Sequence, residues 1–360
     1  MPHTELDARQ TLRDLGEFSL IESVVLPLAR DILGASELGG DCSFASVGDL
    51  TIAVSADVGP RPLVQQLLGF ANDQEAAGWH AAVATASDIA TAGATPLLMT
   101  NTIDAPPDLD VADLQAFLKG YFQACRSFGF QNGGGDLRQG KALSARTFGI
   151  GIVEHGNKIG RSSLQTGDLL VLLGPAGRFI STYLAAQRNK SGSLSEEDQR
   201  ILRFPTVQID SMRALAKAAL VTAASDSSDG VLGAVQNIVS GSGRRVRLNL
   251  HPSLLSELIL REASLSSRDP WNLFFFWGDW SVVAVVPASS YSRFQEFVSR
   301  LAMQWLPLGV AVEGAPGIEA DVDGHLRSVN VVRNENFVDL GFNAGVGGHV
   351  EAMLSAAILK

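Results

Sequence analysis

The 360-residue sequence has only two cysteines, Cys42 and Cys125. They fit no zinc-ligand spacing and no disulfide framework, so neither a structural zinc site nor a cross-linked secreted scaffold is expected. The six histidines are scattered, which argues against a histidine-based zinc centre. No apolar run approaches the roughly 20 residues that a membrane helix needs. The opening stretch MPHTELDARQTLRD is polar and lacks the apolar core of a signal peptide. A reduced, cytoplasmic protein with no membrane partner is the expectation. Charged residues make up only 18%, and acids outnumber bases to a net charge of −10. An acidic chain repels phosphate backbones, which argues against nucleic acid as a partner. Small phosphorylated ligands stay compatible, because Mg²⁺ can bridge acidic side chains to phosphate. Four common signatures are missing as well: the GxxxxGK[ST] phosphate loop, the GxSxG elbow, HExxH and the dinucleotide-binding GxGxxG.

What is present is apolar material, at 46% of residues, enough for a large core and, at this length, about two domains. Residues 16–33 carry helical spacing. VGDLTIAVSADV (47–58) reads as a strand or hairpin ending at Asp57. Asn72 and Glu75 look like a capping pair for a long, small-residue helix over 76–93, stopped by Gly93 and Pro96. A buried strand at 97–103, an amphipathic helix at 108–128 and a strand at 142–154 follow. The polar stretch 156–167 reads as a boundary, after which DLLVLLGPAG starts a new strand and turn. Residues 189–200 are the most loop-like. Helices are expected at 207–223 and 231–242, and strands at 245–250, 281–288 and 309–316. Strands alternate with helices in both halves, so the expected fold class is α/β (α+β) in two domains. Their expected spans are 1–155 and 156–330, with 331–360 as a tail.

The chemistry sits where aspartates lie among small or apolar neighbours: Asp41 in GGDCSF, Asp57 in SADV, Asp88 in TASDIATAGA, Asp136 in NGGGDLRQG, and Asp226 and Asp229 in SDSSDG. Aspartate is seldom buried unless it is paired or bound to metal. Several such sites in one chain suggest a shared Mg²⁺ cluster, since Mg²⁺ is a hard cation that joins a few carboxylates to nucleotide phosphates. Each site also has a plainer reading. Asp41 and Asp57 suit strand-end turns, Asp229 before Gly230 suits a helix N-cap, and Gly133, Gly134 and Gly135 suit either an anion-facing backbone or an ordinary turn. Asp88 is the exception. Mid-helix aspartate is unfavourable, and its small neighbours point to a functional or buried hydrogen-bonded role.

Taken in order, these segments resemble the thiamine-monophosphate kinase family, within the wider group of aminoimidazole ribonucleotide synthetase, selenophosphate synthetase and the hydrogenase-maturation dehydratase. The matching segments are GEFSLIE (16–22), GGDC (39–42), SAD (55–57), GWHAAVATASDIATAGATP (78–96), GGDLRQG (134–140), GRSSLQTGDLLVLLG (160–174) and SDSSDG (225–230), with WGDW (277–280) as a weak echo of a later acidic box. The resemblance implies a two-domain PurM-like fold and a homodimer whose N-terminal sheets join into a barrel. It implies ATP and Mg²⁺ as cofactors and direct passage of the γ-phosphoryl group to a small-molecule acceptor. It places metal ligands at Asp41, Asp57, Asp88, Asp136, Asp226 and Asp229. It places nucleotide contacts at Asp57, Gly134, Gly135, Asp136, Arg138, Asp226 and Ser228, and catalytic roles at Asp88, Asp136 and Asp229. The sequence departs from the family where Gly40 stands for one of a pair of acids, where His80 stands for a basic residue, and where Trp277-Gly278-Asp279-Trp280 replaces the acidic box. Two other readings stand beside the kinase: an ATP-dependent ligase or cyclase that activates a carbonyl or amide oxygen, and an inactive nucleotide-binding scaffold. The six rings at Trp271, Phe274, Phe275, Phe276, Trp277 and Trp280 suggest either a core strand or an apolar acceptor pocket.

Overall fold

The structure is a computed structural model that describes residues 10–34, 40–154, 158–189, 193–322, 324–338 and 346–359. Residues 1–9 of the polar N-terminus, Gly39 of the GGDC segment, part of the 156–167 boundary, part of the 189–200 loop and part of the 331–360 tail lie outside the described residues.

The chain opens with helices α1 (Leu12–Leu20) and α2 (Leu26–Leu33), joined by a π-helical turn over Ile21–Val25. Next come β1 (Ser43–Val47), β2 (Leu50–Val58), α3 (Gln74–Thr91), β3 (Thr95–Ala105), α4 (Val111–Ser127), β4 (Gln131–Gln139) and β5 (Ser144–Val153). The five strands form one sheet in the order β1-β2-β5-β3-β4. Period-two alternation decides which side of it is covered. On β2, Ala53 and Ser55 are buried, whereas Leu50, Val54 and Val58 are exposed. On β5, Phe148 is exposed between the buried Thr147 and Gly149. Helix α3 packs on the covered side of β2 and β5, with α4 alongside it. The two helices cross so closely that a Cβ on Gly78 would lie 1.8 Å from the Phe117 carbonyl oxygen, and one on Gly120 would lie 1.9 Å from that of Glu75. This approach explains the small-residue composition of α3, because only glycine admits backbone contact at that distance. The helix starts one residue later than Asn72 suggested: Asp73 is the N-cap and accepts from Ala76 N at 3.0 Å.

The second half contains β6 (Leu169–Leu173), α5 (Arg178–Arg188), α6 (Glu196–Leu202), α7 (Ile209–Lys217), β7 (Ala223–Asp226), α8 (Val231–Ser242), β8 (Arg245–Asn249), α9 (Glu257–Ser266), α10 (Pro270–Phe274), β9 (Val282–Val286), α11 (Tyr291–Arg300), β10 (Trp305–Val312), β11 (Gly317–Val322), β12 (His325–Ser328) and α12 (Val346–Ser355). Its seven strands run in the order β12-β11-β8-β10-β6-β9-β7, antiparallel except for the β11–β8 pair. Strands β6 and β9 lie inside this sheet with helices on both faces, so they read as unbroken apolar runs. Leu170 and Leu172 face one core with Phe179 and Val235, while Val171 and Leu173 face another with Met212 and Phe294.

Several sequence expectations change here. The helix expected over 207–223 stops at Lys217, because Ala219 turns left-handed at φ 51° and frees the chain to become β7. The 189–200 loop contains α6, started by a Ser195–Asp198 capping box. The glycine run before Asp136 is not a turn but edge strand β4. The 271–280 aromatic stretch is no strand: it holds the short helix α10 and an irregular turn. The strand placed at 309–316 is β10, displaced towards the N-terminus.

Candidate active site

Three aspartates from distant parts of the chain converge. Asp41 lies just before β1, Asp88 near the end of α3, and Asp226 at the end of β7. One oxygen from each lies within 4.8 Å of the others, the only such acidic triad among the described residues. Neutral donors steady the group. Ser55 on β2 donates to Asp88 Oδ2 at 2.5 Å. Ser228 donates to Asp226 Oδ1 through its hydroxyl at 2.8 Å and its backbone N–H at 3.4 Å. Asn237 donates to Ser225 Oγ at 3.2 Å, and that hydroxyl reaches Asp41 Oδ1 at 3.5 Å. The Arg161 guanidinium pairs with Asp41. Asp226 Oδ2 is buried without a hydrogen-bond partner; the Ser87 hydroxyl is near enough to favour its ionised form without meeting hydrogen-bond geometry.

Like charges in a buried site disfavour ionisation. Burial, then the Asp226 and Asp41 charges, push the Asp88 carboxyl well above the usual carboxylate range. Asp226 is raised by burial and by Asp41. Burial lifts Asp57 to about 6, and burial with the nearby Asp226 lifts Asp229 to about 7. A hard divalent cation would reverse these shifts, and the donor set suits one: carboxylate oxygens from three directions, one of them buried and unsatisfied.

Beside the triad a cavity of about 930 Å³ opens between the two halves of the chain, with Asp57, Ser228 and Asp229 in its wall. Phe179, Trp277 and Trp280 line the same cavity. Of the six clustered rings, Trp277 and Trp280 line this space, whereas Trp271, Phe274, Phe275 and Phe276 belong to the core. Trp277 stacks on Phe276 at 5.1 Å and on His349 at 6.3 Å. Asp279 faces backbone rather than the cavity: it accepts from Phe179 N at 2.8 Å and Arg178 N at 3.1 Å and so caps α5. His80 lines the cavity, but burial depresses its pKa to about 4, so it is neutral and supplies no positive charge.

The remaining sequence candidates sit elsewhere. Asp136 is exposed on β4, paired with Arg138 at 2.7 Å, and does not join the triad. Gly134 accepts from Thr100 Oγ1 at 2.9 Å through its carbonyl. A Cβ on Gly135 would lie 2.3 Å from the Asn101 carbonyl oxygen, so strand packing accounts for that glycine. Sequence reasoning missed Asn334 and Asn336, and did not single out Ser55, Glu17 or Arg161 within the matched segments. Glu17 Oε2 accepts from Asn336 N at 2.9 Å and Nδ2 at 2.8 Å, which ties α1 to the chain after β12 at the cavity wall. The helical segment around Glu17 was legible, but the irregular stretch that answers it has no periodicity to read.

Two family models cover most of the chain. The AIR synthase related protein N-terminal domain matches residues 39–153, and the corresponding C-terminal domain matches 165–319. The chain belongs to the AIR synthase related family. Among curated relatives of this family member, thiamine-monophosphate kinase of Mycobacterium tuberculosis (strain H37Rv) is 26% identical over 328 residues, spanning 89% of this chain and 92% of the relative. The enzyme of the same name from Salmonella typhimurium (strain LT2) is 26% identical over 329 residues, spanning 89% and 94%. Among solved structures, AaThiL complexed with AMPPCP and TMP superposes with a TM-score of 0.74 at 22% identity, covering 92% of this chain and all of that one. Escherichia coli HypE, a hydrogenase maturation protein, gives 0.63 at 18%, covering 86% and 97%. These likenesses establish the two-domain AIR synthase related fold. Among the described residues, no helix is long and apolar enough to cross a membrane.

Proposed function

We propose that this chain is an ATP- and Mg²⁺-dependent phosphotransferase that passes the γ-phosphoryl group to a small-molecule acceptor held in the cavity. The observation that carries this reading is the Asp41–Asp88–Asp226 triad, with its unsatisfied buried oxygen, beside a cavity large enough for a metabolite. The curated relatives named thiamine-monophosphate kinase support the same chemistry. Asp41, Asp88 and Asp226 would hold Mg²⁺, with Asp57 and Asp229 completing its surroundings from the cavity wall. Bound there, Mg²⁺ neutralises phosphate charge and the developing charge of transfer.

The protein's own part is positioning. Ser228 fixes Asp226, and Ser55 fixes Asp88. The rings of Phe179, Trp277 and Trp280 form an apolar wall for the acceptor. An acceptor oxygen attacks the γ-phosphorus as the bond to the β-phosphate oxygen breaks and ADP leaves. If that oxygen is a hydroxyl, its proton passes to Asp229, the carboxylate that stands in the cavity wall beside Ser228. The N-terminal half would carry ATP, metal and dimer contacts, and residues 156–330 the second PurM-like domain. The bare sheet face around Val54 and Phe148 is the surface on which a second copy would pair. Asp136, Gly134, Gly135 and Arg138 stand on the edge strand of that sheet, so their part in nucleotide binding depends on the paired state.

Incubating the protein with ATP, Mg²⁺ and a panel of hydroxylated and phosphorylated metabolites, with product analysis, tests the proposal. A phosphorylated acceptor plus ADP supports it. ADP, inorganic phosphate and a condensed product would assign the ligase or cyclase chemistry instead. Nucleotide binding without turnover would assign the scaffold reading, which the missing carboxylate at Gly40 favours.

A further inference from the structure

The triad already contains a cation. Arg161 follows the boundary between the two halves and reaches back to Asp41, whose side chain is only 4% exposed. Guanidinium stays protonated at any pH the protein meets. Three carboxylates and one guanidinium leave two formal negative charges, the charge of one divalent ion. The unsatisfied oxygen belongs to Asp226, not to the Asp41 that Arg161 holds.

We propose that Arg161 is a resident counter-cation that holds the Asp41 corner of the site, so that the first divalent ion enters between Asp88 and Asp226 and Asp41 becomes a ligand only when Arg161 withdraws. This rests on the metal-site reading above. Geometry favours it over a purely structural ion pair. A salt bridge serving only to join the two halves has no need of a carboxylate within 4.8 Å of two other acids, since their repulsion weakens any arrangement that lacks a cation. Gly241 packs its backbone against Arg161: a Cβ there would lie 2.9 Å from both the Arg161 Cβ and its carbonyl oxygen. The arginine backbone is therefore held in place, and its side chain, 24% exposed, reaches from there to Asp41.

Mn²⁺ binding to the full chain without nucleotide, followed by electron paramagnetic resonance of the free ion, tests this independently of turnover. Asp226→Asn should remove first-ion binding, whereas Asp41→Asn should weaken it by only about tenfold, because it takes no ligand from the first ion but leaves the Arg161 charge uncompensated. Arg161→Gln should bind Mn²⁺ about tenfold more tightly or take up an additional ion, because a competing positive charge is gone, and Arg161→Lys should behave like wild type. Circular dichroism melts establish that each variant is folded; an unfolded Arg161→Gln leaves the comparison of Asp41→Asn with Asp226→Asn to decide. If Asp41→Asn weakens first-ion binding as much as Asp226→Asn, or if folded Arg161→Gln binds no more tightly than wild type, Arg161 is not a counter-cation for the metal. If wild type binds no Mn²⁺ at all, the metal-site reading falls and this inference falls with it.

Discussion

Replacing Asp88 with asparagine keeps the side chain's size and removes its charge at the centre of the triad. In the metal-free protein, Asp88 shares a space 4.8 Å across with Asp41 and Asp226. Two unit charges at that distance repel by about 3 kcal/mol at an effective dielectric of about 20. Protonation already relieves part of this in wild type, since burial and the neighbouring acids push the Asp88 carboxyl upward. The asparagine variant should therefore be more stable without metal by about 1–3 kcal/mol, with a melting temperature a few degrees higher. The amide can still accept from Ser55, so the hydrogen bond at 2.5 Å has a successor. With Mg²⁺ and ATP the order reverses: one of three ligands is gone, and ATP turnover should fall by about a hundredfold or more. Melting curves with and without Mg²⁺, run beside a turnover assay, read both effects. A variant that melts lower than wild type yet keeps its turnover would make Asp88 a structural hydrogen-bonding residue, and one that is stable and fully active would remove it from the metal site.

Four further outcomes are expected. ATP at about a hundredfold over its dissociation constant should stabilise the fold by about 2.7 kcal/mol with Mg²⁺ and far less with chelator, and equal thermal shifts would contradict a metal-bridged nucleotide. Asp57 and Asp229 have folded pKa values raised from 3.8 to about 6 and about 7, so their contribution to stability is complete below about pH 4 and is lost as pH rises towards 7. Metal-free protein should accordingly lose several kcal/mol from these two groups across that window, visible in urea melts, and Mg²⁺ should flatten the decline; a metal-free profile that does not fall would refute the burial argument. Phe148→Asp, on the bare sheet face, should yield a folded monomer in sedimentation if wild type is a dimer paired there, and an unchanged dimer would place the interface elsewhere. Gly120→Ala should cost about 1–3 kcal/mol or more by forcing α3 and α4 apart, and an unaltered melting temperature would show that the crossing is looser than 1.9 Å implies.

The sequence by itself determined most of the local elements and the types of residue at the site. Small residues along 76–93 announced a closely packed helix, and the apolar runs at β6 and β9 announced buried strands, because periodicity and side-chain size act over a few residues. Asp41, Asp88 and Asp226 were legible as candidates, since aspartates among apolar neighbours need a reason to be there. Only the tertiary structure decided which of the six aspartates meet. Convergence depends on how α3, the turn before β1 and the end of β7 pack across two sheets, and no local pattern encodes that. The same packing left Asp136 on an exposed edge strand, sent Asp279 to cap α5, and divided one aromatic stretch between core and cavity. It also brought Arg161 to Asp41 and Asn336 to Glu17, contacts between segments far apart in the chain, where local sequence carries no signal and three-dimensional proximity alone supplies the partner.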